Sequence, residues 1–303
     1  MARPVNYINK YMWRYLLRKF CLILLLIVPA LLAIGFRISP GTILLHDAPV
    51  GRPFDFATER GQVIRIGPMD YDMTYHIRAE PASAGNSSAT GYFDFPNASW
   101  FSVAAETVFA PAGEVTEVPM WLNIPDDDGW LNHNWLLGVP VSPIAVGEGA
   151  AQIQVGGYLL FRFETEAKAG VVPYCAENEI VAVPSRTLFD KMLPDVPRTE
   201  VVELYHGRQR ALLYSVERLD PDSDVARLTI LGTPGYPRLT NPEWVEYPEE
   251  IVIPGKGEGG GPFPITVNVP RDEPVRRFEE ILLIKSDHAK TAFLRILVNL
   301  EQR

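Results

Sequence analysis

The sequence predicts an all-β protein with two tandem sandwich domains behind one N-terminal transmembrane helix, and three observations predict it. Residues 20–36 form an apolar run without a single charge. From residue 42 onward helical periodicity nearly vanishes, and short runs of β-branched and aromatic residues alternate with Pro, Gly, Asn and Asp turns. One order of motifs then occurs twice, in units of about 125 residues.

The apolar run is long enough to span a bilayer once Leu16 and Leu17 extend it and Arg18 and Lys19 snorkel toward the headgroups. Arg14, Arg18 and Lys19 precede it and no acid does, so the positive-inside rule places residues 1–19 in the cytoplasm. Tyr7, Tyr11, Trp13 and Tyr15 suit the interface on that side. Leu24 lies within the span, and Pro29 is tolerated there as a kink. A cleaved signal peptide is the rival reading. Against it, Ile34, Gly35, Phe36 and Arg37 form no small-x-small cleavage motif.

Strand-like runs follow, among them residues 63–66, 74–78, 118–124 and 158–163. Their spacing of roughly ten residues fits a sandwich. The repeat is carried by Asn97 and Trp100 in one copy and by Asn241 and Trp244 in the other. After each come a Pro-Gly turn (Pro111 and Gly113; Pro254 and Gly255) and an alternating strand ending in Pro125 or Pro270. An acidic turn and a long last strand close each copy. A Trp at a strand start fills the sandwich interior, and alternation buries every second residue of the next strand. The copies are placed at residues 40–166 and 184–303, with a linker at 167–183. Relative to the second copy, residues 128–157 read as an insertion.

Across residues 100–125 and 244–270 the chain resembles bacterial extracytoplasmic immunoglobulin-like domains of the hydin/abnormal-spindle type. That resemblance implies two tandem immunoglobulin-like β-sandwiches and, by analogy, a protein-binding or spacer role. With the apolar run as anchor and the basic residues before it, the expectation is a single-pass protein of the bacterial inner membrane with its sandwiches in the periplasm. A shared fold does not fix a function.

Charge is distributed unevenly. The chain has 28 Lys+Arg and 37 Asp+Glu, and six of the basic residues but no acid lie in residues 1–37. The remainder is therefore strongly acidic, which excludes nucleic acid as a favoured partner. Hydrophobic residues make up 47% of the chain, enough for sizeable cores. Cys21 lies in the apolar run and Cys175 far outside it, so an intramolecular disulfide is not expected.

No catalytic constellation, cofactor motif or metal-ligand spacing emerges. His46, His76, His133, His206 and His288 form no His-x-x-x-His pair, and no Cys-x-x-Cys occurs. Asp126, Asp127 and Asp128 lack calcium-loop spacing and read as a solvated turn. Residues 255–261 lack the Gly-Lys-Ser/Thr ending of a phosphate loop and read as a hairpin tip. The candidate partner-binding residues are Trp130, His133 and Trp135 in the insertion, and Tyr236.

The expected function is that of a non-catalytic, membrane-anchored accessory subunit. Its helix packs in the bilayer beside partner helices, and its sandwiches bind other proteins of a membrane complex. An energy-converting complex such as a photosynthetic reaction-centre assembly is one setting. Two other readings stand beside it: an envelope glycan- or peptidoglycan-binding module, with Trp130, Trp135 or Tyr236 stacking on sugars, and a hydrolase whose site is built from distant loops.

Overall fold

A computed structural model describes residues 37–144, 156–239 and 241–301. The expected transmembrane helix, with Arg14, Arg18, Lys19, Leu24 and Pro29, lies outside the described residues. Among the described residues no helix is long and apolar enough to cross a membrane.

The first sandwich is built from β1 (Ile38–Ser39), β2 (Thr42–Ala48), β3 (Phe54–Asp55), helix α1 (Phe56–Arg60), β4 (Ile64–Ile66), β5 (Met73–Ile77) and β6 (Glu80–Pro81). It continues through β7 (Phe93–Asp94), β8 (Phe101–Val103), β9 (Thr107–Ala110), β10 (Thr116–Val118), β11 (Met120–Leu122), β12 (Asn134–Pro143) and β13 (Gly157–Thr165). The second is built from β14 (Ile180–Val183), β15 (Arg186–Met192), β16 (Arg198–His206), β17 (Leu212–Arg218) and β18 (Val245–Glu246). Its last strands are β19 (Glu250–Ile253), β20 (Gly261–Val267), β21 (Arg277–Ser286) and β22 (Ala289–Leu300).

The two share one topology. The larger sheets run β2-β13-β12-β5-β9 and β15-β22-β21-β17-β19, with the outermost pairs β2/β13 and β15/β22 parallel. The smaller sheet of the second sandwich runs β14-β16-β20-β18. If β14 and β15 are the two halves of strand A and β18 and β19 those of strand D, that sheet reads A-B-E-D, and C, F and G lie together in the other. This is the immunoglobulin-like arrangement. In the first sandwich the same sheet is cut in two, β1-β4-β10 and β3-β11-β8. Helix α1 interrupts strand B between β3 and β4. Asp55 accepts from the N–H groups of Ala57 and Thr58 at its start, and Gly61 ends it at φ 63°.

The repeated motif folds the same way in both copies. Asn97 and Asn241 each cap a one-turn 3-10 helix by accepting an N–H two residues on, at 3.1 and 3.0 Å. Trp100 and Trp244 end these turns half-buried against the core. Their carbonyls accept from Asn123 N–H and Asn268 N–H, at 2.7 and 2.9 Å. Strand A bulges in both copies at a non-glycine residue of positive φ, Asp47 at 55° and Lys191 at 52°.

Three local readings differ. Residues 134–143 are no insertion: they form β12, the counterpart of β21. The extra length lies in the β12–β13 connection, residues 144–156, of which 145–155 lie outside the described residues. Residues 180–183, read as the end of the linker, form β14. The glycine-rich segment 255–260 is not a hairpin tip. It arches between the two sheets, because β19 pairs β17 whereas β20 pairs β16 and β18.

The sandwiches pack through the outer faces of their larger sheets. On β22, Leu294, Ile296 and Val298 enter the sandwich core, and Phe293 turns toward the first sandwich. There Phe293 meets Tyr92, ring centroids 5.4 Å apart, in an apolar cluster with Leu136, Ile281 and Leu283. Both faces of β21 and β22 are thus buried, which is why their sequences run apolar instead of alternating.

Candidate functional site at the domain junction

A buried ionic network spans the packed sheets. Arg295 on β22 donates to Glu164 on β13 through Nε (2.8 Å) and Nη2 (2.5 Å), and to Glu279 on β21 through Nη1 (2.8 Å). Arg295 is 1% exposed, Glu164 3% and Glu279 0%. Further groups meet both carboxylates, among them the Arg238 guanidinium 3.3 Å from Glu279. Tyr92 Oη donates to Glu164 at 2.8 Å, His46 Nδ1 lies 2.9 Å from it, and Thr233 donates to Glu279 through Oγ1 and N–H. Burial pushes the Glu164 carboxyl up, but the Arg295 guanidinium and the His46 hydrogen bond more than offset this and hold it well below the usual carboxylate range. At the rim, Arg186 of the second sandwich makes a two-pronged contact with Asp47 of the first.

Beside this network, residues 167–179 are laced between the sandwiches. Asn132, at φ 68°, uses both amide atoms: Nδ2 donates to Lys168 O, and Oδ1 accepts from Lys168 N–H and Ser185 N–H. Leu131, Val171, Val181 and Val183 close a small apolar cluster under the segment. The acidic turn supports it as well. Asp127 caps the one-turn helix that carries Trp130, through Gly129 N–H, and accepts from Tyr174 Oη at 2.8 Å, while Asp128 pairs with Lys168 at 2.7 Å. Among the described residues no group of three or more His, Cys, Asp or Glu side chains is placed to hold a metal.

A cleft of about 770 Å3 opens where the first sandwich, this segment and the glycine arch meet. Its aromatic wall holds Trp130, 4.6 Å from Tyr174 and 6.0 Å from Trp135 by ring centroids. His133 stacks on Trp135 at 4.7 Å. Its Nδ1 lies 2.9 Å from Glu179 Oε1 and its Nε2 3.0 Å from Gly129 O, so both ring nitrogens are engaged. Cys175 also lines the cleft, and burial, with the Glu179 charge, pushes its thiol far up, away from reactive thiolate character.

Trp130, His133 and Trp135 therefore come together, although not on an exposed loop. Trp135 and His133 are buried at the start of β12, and Trp130 is half-buried. Tyr236 is half-buried and does not line the cleft, so the aromatic residues form no single exposed platform. Lys256, Tyr174 and Glu179 complete the cleft and were not singled out by sequence. Glu164, Glu279 and Arg295 do leave a signal, since each is a charge inside an otherwise apolar strand.

No protein-family model and no curated protein matches this chain. Among solved structures it is similar to the ASH/PapD-like domain of human CEP192 (PapD-like domain 7), at 10% identity and TM-score 0.33, over 45% of this chain and 89% of that one. It is similar to the E. coli chaperone DraB, at 10% identity and TM-score 0.30, over 88% of this chain and 99% of that one. A protein of unknown function from Porphyromonas gingivalis W83 matches at 11% identity and TM-score 0.30, over 88% and 99%. The immunoglobulin-like architecture rests on the strand order above, not on these scores.

Proposed function

We propose that this chain is a non-catalytic accessory subunit, anchored through residues 20–36 in a membrane, whose two joined sandwiches bind partner proteins of a membrane complex. The observation that carries this reading is the Arg295–Glu164–Glu279 network, which fixes the two sandwiches against each other and presents their free surfaces as one body. A binding scaffold gains affinity from such preorganisation, because no ordering of its parts is needed at the moment of contact. Apolar side chains on free surface are consistent with it. Leu213 and Val252 are register partners at a sheet edge and are 56% and 59% exposed. The test is extraction of the native membrane in mild detergent, with mass spectrometry of what co-purifies through a tag on this chain. Membrane proteins in fixed stoichiometry are the expected result. Recovery of a lone monomer from an intact membrane preparation overturns the reading.

A further inference from the structure

We propose that the cleft at the domain junction is a binding site for a small aromatic carboxylate. Its volume of about 770 Å3 lies in the range of small-molecule pockets, roughly 300–1,000 Å3. The rings of Trp130 and Tyr174, inclined at 52° to each other, offer aromatic surface for a ring. Tyr174 is 49% exposed and neighbouring Val172 is 74% exposed, so apolar area continues to the mouth.

The charges select the sign of the ligand. Two carboxylates line the cleft, and both are already engaged. Glu179 takes His133 and the Ala176 N–H; Asp94 takes the Ser83 N–H and lies 3.8 Å from Lys290. Lys256 is exposed on the glycine arch, and among the described residues its ammonium has no hydrogen bond or ion pair. Lys256 is thus the lining charge left without a partner among the described residues, in a chain whose net charge is -9. A monoanion with a ring body answers both the lysine and the wall. A cation or neutral aromatic leaves Lys256 unanswered, and with one unpartnered lysine in the lining a single negative charge is matched. This inference does not rest on the accessory-subunit reading and stands if that reading fails.

The test uses the full chain in phosphatidylcholine nanodiscs, titrated with 2-naphthoate and followed by tryptophan fluorescence and calorimetry. Saturable one-to-one binding is expected. The neutral analogue 2-naphthalenemethanol and the variant Lys256→Glu should each weaken it by about tenfold or more, and Lys256→Arg should retain it. Because Lys256 is exposed and unpartnered, its variants report binding and not folding. Absence of saturable binding overturns the site. So does equal binding of acid and alcohol, or equal binding by Lys256→Glu and the native chain.

Discussion

Arg295 is the residue on which the junction turns. It answers two carboxylates that are shut away from water, and losing it takes from each its shortest ion pair. Arg295→Met keeps the apolar stem but removes the guanidinium that both buried carboxylates share, leaving Glu164 to His46 and Tyr92 and Glu279 to Thr233 and to Arg238 at 3.3 Å, so chemical denaturation should show a loss of about 3 kcal/mol. Glu164 adds a pH dependence whose sign follows from its environment. Its folded-state pKa is depressed below the ordinary 4.5, so its stabilisation is complete above that value and is lost as pH falls through the depressed folded value. Glu164→Gln should therefore be less stable than the native chain at about pH 7 and should flatten the acid limb below about pH 4.5. Urea midpoints measured across that range decide it, and parallel acid limbs in the two proteins would refute the assignment.

At the scale of elements, the segment between β6 and β7 shows how closely the sandwiches approach. Gly91 sits there at φ 85°, and a Cβ added to it would lie 2.3 Å from Phe293 Cδ1 of the second sandwich. Gly91→Ala meets backbone strain and overpacking together, so it should cost roughly 2–4 kcal/mol in thermal or chemical unfolding. A loss within a few tenths of a kcal/mol would show that the sandwiches yield at this point. The element pattern was legible in the sequence where local chemistry sets it. Asn97 with Trp100 and Asn241 with Trp244 carry their cap and their turn in four consecutive residues, with the strand starting at the fifth, and the repeat followed from them. β12 was not legible as a strand of the repeat, because residues 134–141 are buried on both faces and lack alternation, and because the long connection after it displaced the alignment. The cleft was only half legible. Trp130, His133 and Trp135 are neighbours in sequence, whereas Lys256 and Glu179 reach them only through the packing of one sandwich on the other.

At the scale of the whole molecule, the question is whether two sandwiches behave as one unit. Separating them exposes the apolar cluster around Tyr92, Leu136, Ile281 and Phe293 and strands Arg295 on one side with Glu164 on the other. Each sandwich alone would then expose an apolar face and carry a charge that has lost its partner across the junction, with Arg295 left to Glu279 and Glu164 to His46, so a state with one sandwich folded and the other unfolded is disfavoured from both directions. The native chain should unfold in one transition, and amides of β13 and β22 should exchange with the same opening free energy despite lying in different sandwiches. Arg295→Met weakens the shared interface without touching either core, and it should split the two strands' exchange behaviour before it abolishes either fold. Hydrogen exchange read by mass spectrometry on both strands tests this directly. Independent opening of β13 and β22 in the native chain would mean that the junction does not couple the domains, and would remove the preorganisation on which the accessory-subunit reading depends.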